Sequence, residues 1–233
     1  MSLSRRTVIT TGAAGAGALV LMPTALKAQI AEPVTRTRPD RYTDGPPRPY
    51  ASTPATARPY ADPVIDPRLV ARARASFDRH RNSLRNIDVV GIADFSKSSA
   101  ESRFYLLDTN SGRVTRHLVA HGRGSDPAHS GFLQRFSNVP GSEATSSGAY
   151  ATTLYYPGRY GRSMRVRGLD HTNSNAESRA IVIHPAWYAE PQVAQVQGRL
   201  GRSEGCFAFS YQSLQEVLGR LGPGRFIYAD RLA

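Results

Sequence analysis

The chain has 233 residues, 40% of them hydrophobic, which is room for one ordinary domain with a real core plus extensions. Its net charge of +12 is almost all arginine, since Lys27 and Lys97 are the only lysines, and it is spread along the chain without a Lys/Arg run. With no helix-turn-helix, zinc-finger or aromatic RNA-binding signature, this balance argues against a nucleic-acid partner; it fits either solvated arginines or work beside an anionic envelope polymer. A single cysteine excludes an intrachain disulfide and any Cys-based zinc site.

The first segment has the three-part layout of a secretory signal. Arg5-Arg6 is followed by an uncharged stretch from Thr7 to Leu26, then Lys27 and the small Ala28. Ser4-Arg5-Arg6-Thr7 looks like a twin-arginine signal, which places the mature protein in the periplasm or cell envelope. About 20 uncharged residues could just span a bilayer, but Gly12, Gly15 and Gly17 make a poor spanning helix. Membrane contact is therefore expected only through residues 1–28, where these are not cleaved. The lack of a cysteine near the end of this segment excludes a lipoprotein anchor. Residues 29–65 are dominated by Pro, Arg, Thr, Ala and Tyr, as in Gly45-Pro46-Pro47-Arg48-Pro49, with no apolar periodicity. Such a segment buries too little surface to offset its ordering entropy and reads as a disordered tether.

Residues 66–233 read as one domain. Asp66 caps and Pro67 begins a helix with Leu69, Ala73, Phe77 and Leu84 on one face. Strand patterns follow at Ile87–Phe95, Arg103–Asp108, Val114–Ala120, Ala149–Tyr156, Met164–Leu169, Ala180–His184 and Arg225–Ala229. Asn110-Ser111-Gly112 is a hairpin turn. A late helix, Tyr211–Leu221, carries Leu214, Val217, Leu218 and Leu221 on one stripe and stops at Gly222-Pro223. Short strands with turns every ten or so residues predict a mainly β fold, a sandwich or barrel with one N-terminal helix and one late helix.

Chemistry concentrates in Ile181-Val182-Ile183-His184-Pro185-Ala186-Trp187-Tyr188 and Gly201-Arg202-Ser203-Glu204-Gly205-Cys206-Phe207-Ala208-Phe209. Cys206 follows a glycine in a turn, where backbone N–H groups are free to hold an oxyanion. His184 ends an apolar strand. A thiol and an imidazole together make a competent nucleophile. Each also has a structural reading: a lone Cys is often a small buried hydrophobe, and His80, His117, His121, His129 and His171 compete with His184. The residue pattern alone leaves this open.

The order His184, Ser203, Gly205, Cys206 resembles the catalytic segment of the YkuD-type L,D-transpeptidases, and more closely the branch of murein L,D-transpeptidase catalytic domain proteins. That branch also shares Ala93-Asp94-Phe95-Ser96, Val119-Ala120-His121-Gly122, Phe136-Ser137-Asn138, Ser147-Gly148-Ala149-Tyr150, Asn175-Ala176 and Arg179. The resemblance covers about Asp66 to the C-terminus. It implies a YkuD-like β-sandwich or barrel with the second helix after the catalytic Cys. Cys206 is then nucleophile and His184 base, with the N–H groups of Gly205 and Cys206 holding the oxyanion and Ser203 and Pro185 in support. Arg202, Tyr188 and His121 contact substrate, and no metal or cofactor is needed. The substrate implied is a peptidoglycan stem tetrapeptide, attacked to give 3→3 cross-links or amine exchange, and carbapenem-type inhibitors are expected to acylate the thiol. Three positions depart from the family. Pro185 replaces a common Gly but keeps the carbonyl that orients the imidazole. Glu204 replaces a His or aromatic residue and opposes thiolate formation unless it points away or pairs with Arg199 or Arg202. Ala208 replaces an Asn or Arg, whose substrate contacts are assigned here to Arg202. Two other readings remain: a carboxypeptidase or amidase that trims stems on the same scaffold, and a wall-binding protein whose catalysis has decayed.

Overall fold

A computed structural model of the chain describes residues 65–233; the expected signal segment and the tether up to residue 64 lie outside the described residues. Ile65, assigned from sequence to the tether, is buried instead against Leu69, Ala73, Val90 and Phe226. Helix α1 (Pro67–His80) starts as its sequence dictates, with the Asp66 carboxylate accepting from Arg68 N–H at 2.8 Å and proline in the first turn. Arg79 and His80 sit in its last turn, where the helix dipole favours positive charge. Phe77 meets Phe226 edge to face at 5.4 Å, which fixes α1 on the sheet.

Eight strands follow: β1 (Val89–Asp94), β2 (Phe104–Asp108), β3 (Val114–His117), β4 (Gly148–Gly158), β5 (Gly161–Gly168), β6 (Val182–Pro185), β7 (Phe207–Phe209) and β8 (Phe226–Asp230). They form one sheet in the order β3-β2-β1-β8-β4-β5-β6-β7, antiparallel except at β1/β8 and β6/β7. Beyond the end of β3 the chain reaches the other edge strand. Ala120 bridges Ala208 there, its N–H donating to the Ala208 carbonyl at 2.9 Å. The sheet is thus a nearly closed barrel, the mainly β fold expected from the strand pattern. The interior is filled by Phe95, Phe104, Tyr150, Phe207 and Phe209, whose rings meet mostly edge to face. Each fully buried aromatic of this size contributes roughly 1.5–3 kcal/mol. Helix α3 (Tyr211–Leu221) seals the core with the predicted stripe of Leu214, Val217, Leu218 and Leu221; Ser210 caps it, accepting from Ser213 N–H.

The sequence pattern does not anticipate β7, only three residues long, or helix α2 (Pro191–Gln197), one of seven. β4 and β5 also run further than expected, into a hairpin with Arg159 and Tyr160 at its tip and a register shift between Thr152 and Tyr155. Among the described residues no helix is long and apolar enough to cross a membrane.

Candidate active site

β6 and β7 are parallel neighbours, with Ile183 opposite Phe207 and His184 opposite Ala208. Ile183 and Phe207 are fully buried in the core. Strand alternation therefore turns His184 to the other face, and with it Cys206 and Ala208, the residues flanking Phe207. His184 Nδ1 lies 3.0 Å from the Pro185 carbonyl oxygen. A carbonyl only accepts, so Nδ1 carries the proton and Nε2 presents its lone pair. Burial lowers the His184 pKa, the Pro185 carbonyl opposing it, so the ring is neutral near pH 7. Tyr160, from the tip of the β4/β5 hairpin, stacks over the imidazole with centroids 6.4 Å apart and planes at 28°.

Cys206 is half-buried. Its thiol donates to the Ala180 carbonyl at 3.6 Å, and among the described residues no hydrogen bond joins the sulfur to the imidazole. Burial pushes the thiol up to about 11, with the Val182 N–H opposing, Glu204 adding to the rise and Arg179 opposing. The resting pair is therefore a neutral thiol and a neutral imidazole.

The loop before Cys206 is built from glycines that face each other. Gly205 has φ +111°, and a Cβ on it would lie 2.7 Å from the Ala144 carbonyl oxygen and 2.8 Å from Ile181 Cδ1. A Cβ on Gly122 would lie 2.7 Å from Gly205 Cα. Only glycine fits either place. Ser203 ties the turn together: its hydroxyl donates to the Cys206 carbonyl at 2.8 Å and accepts from Gly205 N–H at 3.2 Å. Its own N–H donates to the His121 carbonyl at 2.9 Å. The Gly205 N–H is engaged within the loop, whereas the Cys206 N–H has no acceptor among the described residues.

His121 is corrected from a substrate contact to a structural residue. It is 1% exposed, its Nδ1 accepts from Arg103 at 2.7 Å, and its Nε2 lies 3.5 Å from Asp126 Oδ2 without a hydrogen bond. A ring sealed in this way cannot touch a ligand. Burial, and then Arg103, lower its pKa to about 3. Arg202 donates from one nitrogen to the carbonyls of Asp126 and Pro127, so part of its guanidinium anchors a loop. Glu204 points outward, 73% exposed on its side chain, and pairs with Arg123 at 3.3 Å, not with Arg199 or Arg202; Arg123 also binds Glu143. Tyr188 packs on Gly201 and edge to face on Trp187. It packs against the small apolar cluster that holds Ala208, the residue opposite His184, and burial, then Cys206, Tyr160 and Glu204, raise its pKa.

Two residues of the site had no assigned role in the sequence reading. Arg179 donates to the carbonyls of Ser137 and Ala144 and to the hydroxyls of Ser146 and Ser142. It fastens the long irregular segment before β4 and puts a cation near Cys206. Its signal was an arginine beside an apolar strand. Tyr160 carried no signal, because only the hairpin brings it over His184. A separate cleft of about 470 Å³, lined by Arg116, His117, Pro191 and Gln195 among others, contains none of these residues. Among the described residues no three His, Cys, Asp or Glu side chains group to hold a metal.

The barrel-like sheet, with a Gly-Cys loop laid against a strand-end histidine, defines a YkuD-like domain. The family description "L,D-transpeptidase catalytic domain" matches residues 61–229, and the chain belongs to that family. Among curated proteins none matches it significantly. Solved structures similar to it include an L,D-transpeptidase from Mycobacterium smegmatis, at 15% identity and TM-score 0.38 over 61% of this chain and 58% of that one. An L,D-transpeptidase from Xylanimonas cellulosilytica matches at 16% identity and TM-score 0.38 over 67% and 68%. L,D-transpeptidase 3 from Mycobacterium tuberculosis, in complex with a faropenem-derived adduct, matches at 14% identity and TM-score 0.40 over 61% and 60%. The chain spans about six-tenths of the first of these.

Proposed function

We propose that the protein is a cysteine-dependent peptidoglycan L,D-transpeptidase. The observation that carries this reading is the fixed tautomer of His184, which leaves Nε2 free to accept a proton, on a strand paired with the one that Cys206 directly precedes. The mechanism requires the Cys206 side chain to turn away from the Ala180 carbonyl and toward that base. Sγ then attacks the carbonyl carbon of the third, L-centred residue of a stem tetrapeptide while His184 Nε2 takes the thiol proton. The oxyanion is held by the Cys206 N–H. The C–N bond breaks, D-alanine leaves with the proton from His184, and a thioester remains. An acceptor amine attacks the thioester, gives its proton to His184 and restores the thiol, leaving a 3→3 cross-link.

Two observations favour this over a decayed wall-binding protein. Glu204 is turned to solvent and paired with Arg123, and Pro185 keeps the carbonyl that the imidazole needs. Residues 1–28 are proposed to direct export to the periplasm or cell envelope. The test is incubation of the purified protein with a carbapenem, followed by intact-mass measurement. One adduct on wild type and none on Cys206→Ala is expected. No adduct on wild type, or one that persists in Cys206→Ala, rejects the nucleophile. Digestion of whole peptidoglycan then separates cross-linking, which yields new dimers, from trimming, which yields only shorter stems.

A further inference from the structure

Trp187 is the only tryptophan of the chain, and it is 56% exposed. A large aromatic left in water beside a candidate active site is the kind of exposure that calls for a partner. It follows β6 directly, three residues after His184. Its ring meets Tyr188 edge to face at 5.9 Å, and Tyr188 in turn packs against the small apolar cluster that holds Ala208, the residue opposite His184. Tyr160, 41% exposed, caps His184 and carries the Arg159 guanidinium over its own ring at 5.3 Å. Aromatic rings therefore gather about His184, with Tyr160 over the imidazole and Tyr188 and Trp187 beyond the end of β6, and Arg159 and the exposed carboxylate of Glu204 belong to the neighbouring hairpin and loop.

Aromatic faces bordered by charged, hydrogen-bonding groups suit a ligand with one apolar face and a polar rim. A pyranose ring fits that description: its axial C–H bonds make an apolar face, and its hydroxyl and acetamido groups lie around the edge. A purely apolar peptide side chain would leave the Arg159 guanidinium without a hydrogen-bonding partner on the ligand. We infer that the Trp187–Tyr188 pair is a sugar subsite, which takes an N-acetylated pyranose of the glycan strand to which the donor stem is attached. The inference rests on the proposed peptidoglycan substrate and deepens it. The reacting carbonyl is three residues from the sugar end of the stem, roughly 10 Å of extended chain, a span of the same order as the three residues from His184 to Trp187.

Because Trp187 is alone, the intrinsic tryptophan fluorescence of the full chain reports this surface and nothing else. Titration with chitotetraose, a β-1,4-linked oligomer of N-acetylglucosamine, should shift the emission to the blue and saturate, in wild type and in Cys206→Ala alike. A free stem tetrapeptide without sugar should shift it far less. Calorimetric titration of Trp187→Ala with the same oligosaccharide should show at least about tenfold weaker binding, with an unchanged circular dichroism spectrum. No saturable shift with the oligosaccharide, or an equal shift with sugar-free peptide, overturns the inference; the wild-type titration stands should Trp187→Ala not fold. Since binding needs no turnover, a saturable shift without a carbapenem adduct would sink the transpeptidase reading and keep the sugar subsite, whereas an adduct without a shift would do the reverse.

Discussion

The resting state of the thiol is the most exacting consequence of the site's geometry. Burial moves Cys206 from an ordinary value of 9.0 to about 11. At any pH below 9 this leaves about a hundredfold less thiolate than an ordinary cysteine has, and at pH 7 only about one molecule in ten thousand is ionised. A reagent that needs free thiolate should therefore react slowly. Alkylation by iodoacetamide should run about a hundredfold slower at pH 7 than in the urea-unfolded chain, and rise about tenfold per pH unit with no plateau before about 11. A substrate-like acylating agent should behave otherwise, because in the proposed mechanism His184 Nε2 removes the proton as the bond forms. Burial holds the His184 pKa below 6.5, so the base is available above that value. Carbapenem acylation should climb as pH rises through the His184 pKa and then stay flat to about pH 9.

The two profiles thus diverge between pH 7 and 9, one rising steeply and the other level. His184→Ala should remove the level region, leaving acylation slower by roughly 10²- to 10⁴-fold and dependent on thiolate. Both rates can be followed by intact mass over a pH series. Fast iodoacetamide alkylation that is constant from pH 6 to 9 would mean a preformed thiolate–imidazolium pair. It would refute the neutral-pair reasoning along with the role given to burial.

Other consequences are open to direct measurement. Gly205→Ala forces a side chain into φ +111° and against the Ala144 carbonyl; a loss of roughly 2–4 kcal/mol and about 5–10 °C in Tm is expected. Gly141→Ala, at φ +76° with nothing within 4 Å, should cost only about 1 kcal/mol, and equal losses would discount the contact at Gly205. Arg179→Ala removes four hydrogen-bond acceptors' common donor, so limited proteolysis should open the chain between residues 137 and 146 and Tm should fall by several degrees. The folded pKa of His121, about 3, lies below its unfolded 6.5, so its neutral burial contributes full stability above pH 6.5 and loses it as pH falls toward 3. Urea midpoints should drop across that window, and His121→Gln should flatten the slope; an unchanged slope assigns acid sensitivity elsewhere. Glu204→Gln removes a charge that raises the thiol and should speed iodoacetamide alkylation about two- to fivefold.

Local pattern carried much of the fold. The Asp66-Pro67 start of α1, the apolar stripe of α3 and the turn at Gly112, with φ +70°, are all decided within a few residues. The sequence also put Cys206 and His184 in their order and at a strand end. What it did not carry depends on closure of the sheet. β7 is three residues of an already apolar run and becomes a strand only because β6 lies beside it. Nothing in Val119-Ala120-His121-Gly122 says that the histidine turns inward onto Arg103 while the glycine backs onto Gly205. Glu204 has Arg199 and Arg202 near it in sequence, yet its partner is Arg123, brought there by the bridge of Gly122 to Ser203. Pairings of this kind follow from the register of distant strands, which no local period encodes.

The same closure explains why a fully buried arginine sits beneath the site. Arg103 is 0% exposed, and desolvation lowers its pKa to about 9. An unpartnered cation there would be strongly destabilising. It is tolerated because its donors are used: Nε and one terminal nitrogen go to the Val119 carbonyl, the other terminal nitrogen goes to the Lys97 carbonyl, and His121 Nδ1 receives a further bond. The guanidinium also lies over Phe95 at 4.9 Å. These contacts pin the chain from Val119 to His121, and that segment bridges Ala208 and holds Ser203 through the His121 carbonyl. The position of Cys206 is thus set from behind, by a buried cation whose partners lie on the segment that closes the barrel. A loop that needs two glycines back to back has little rigidity of its own, and the structure supplies it from that seam.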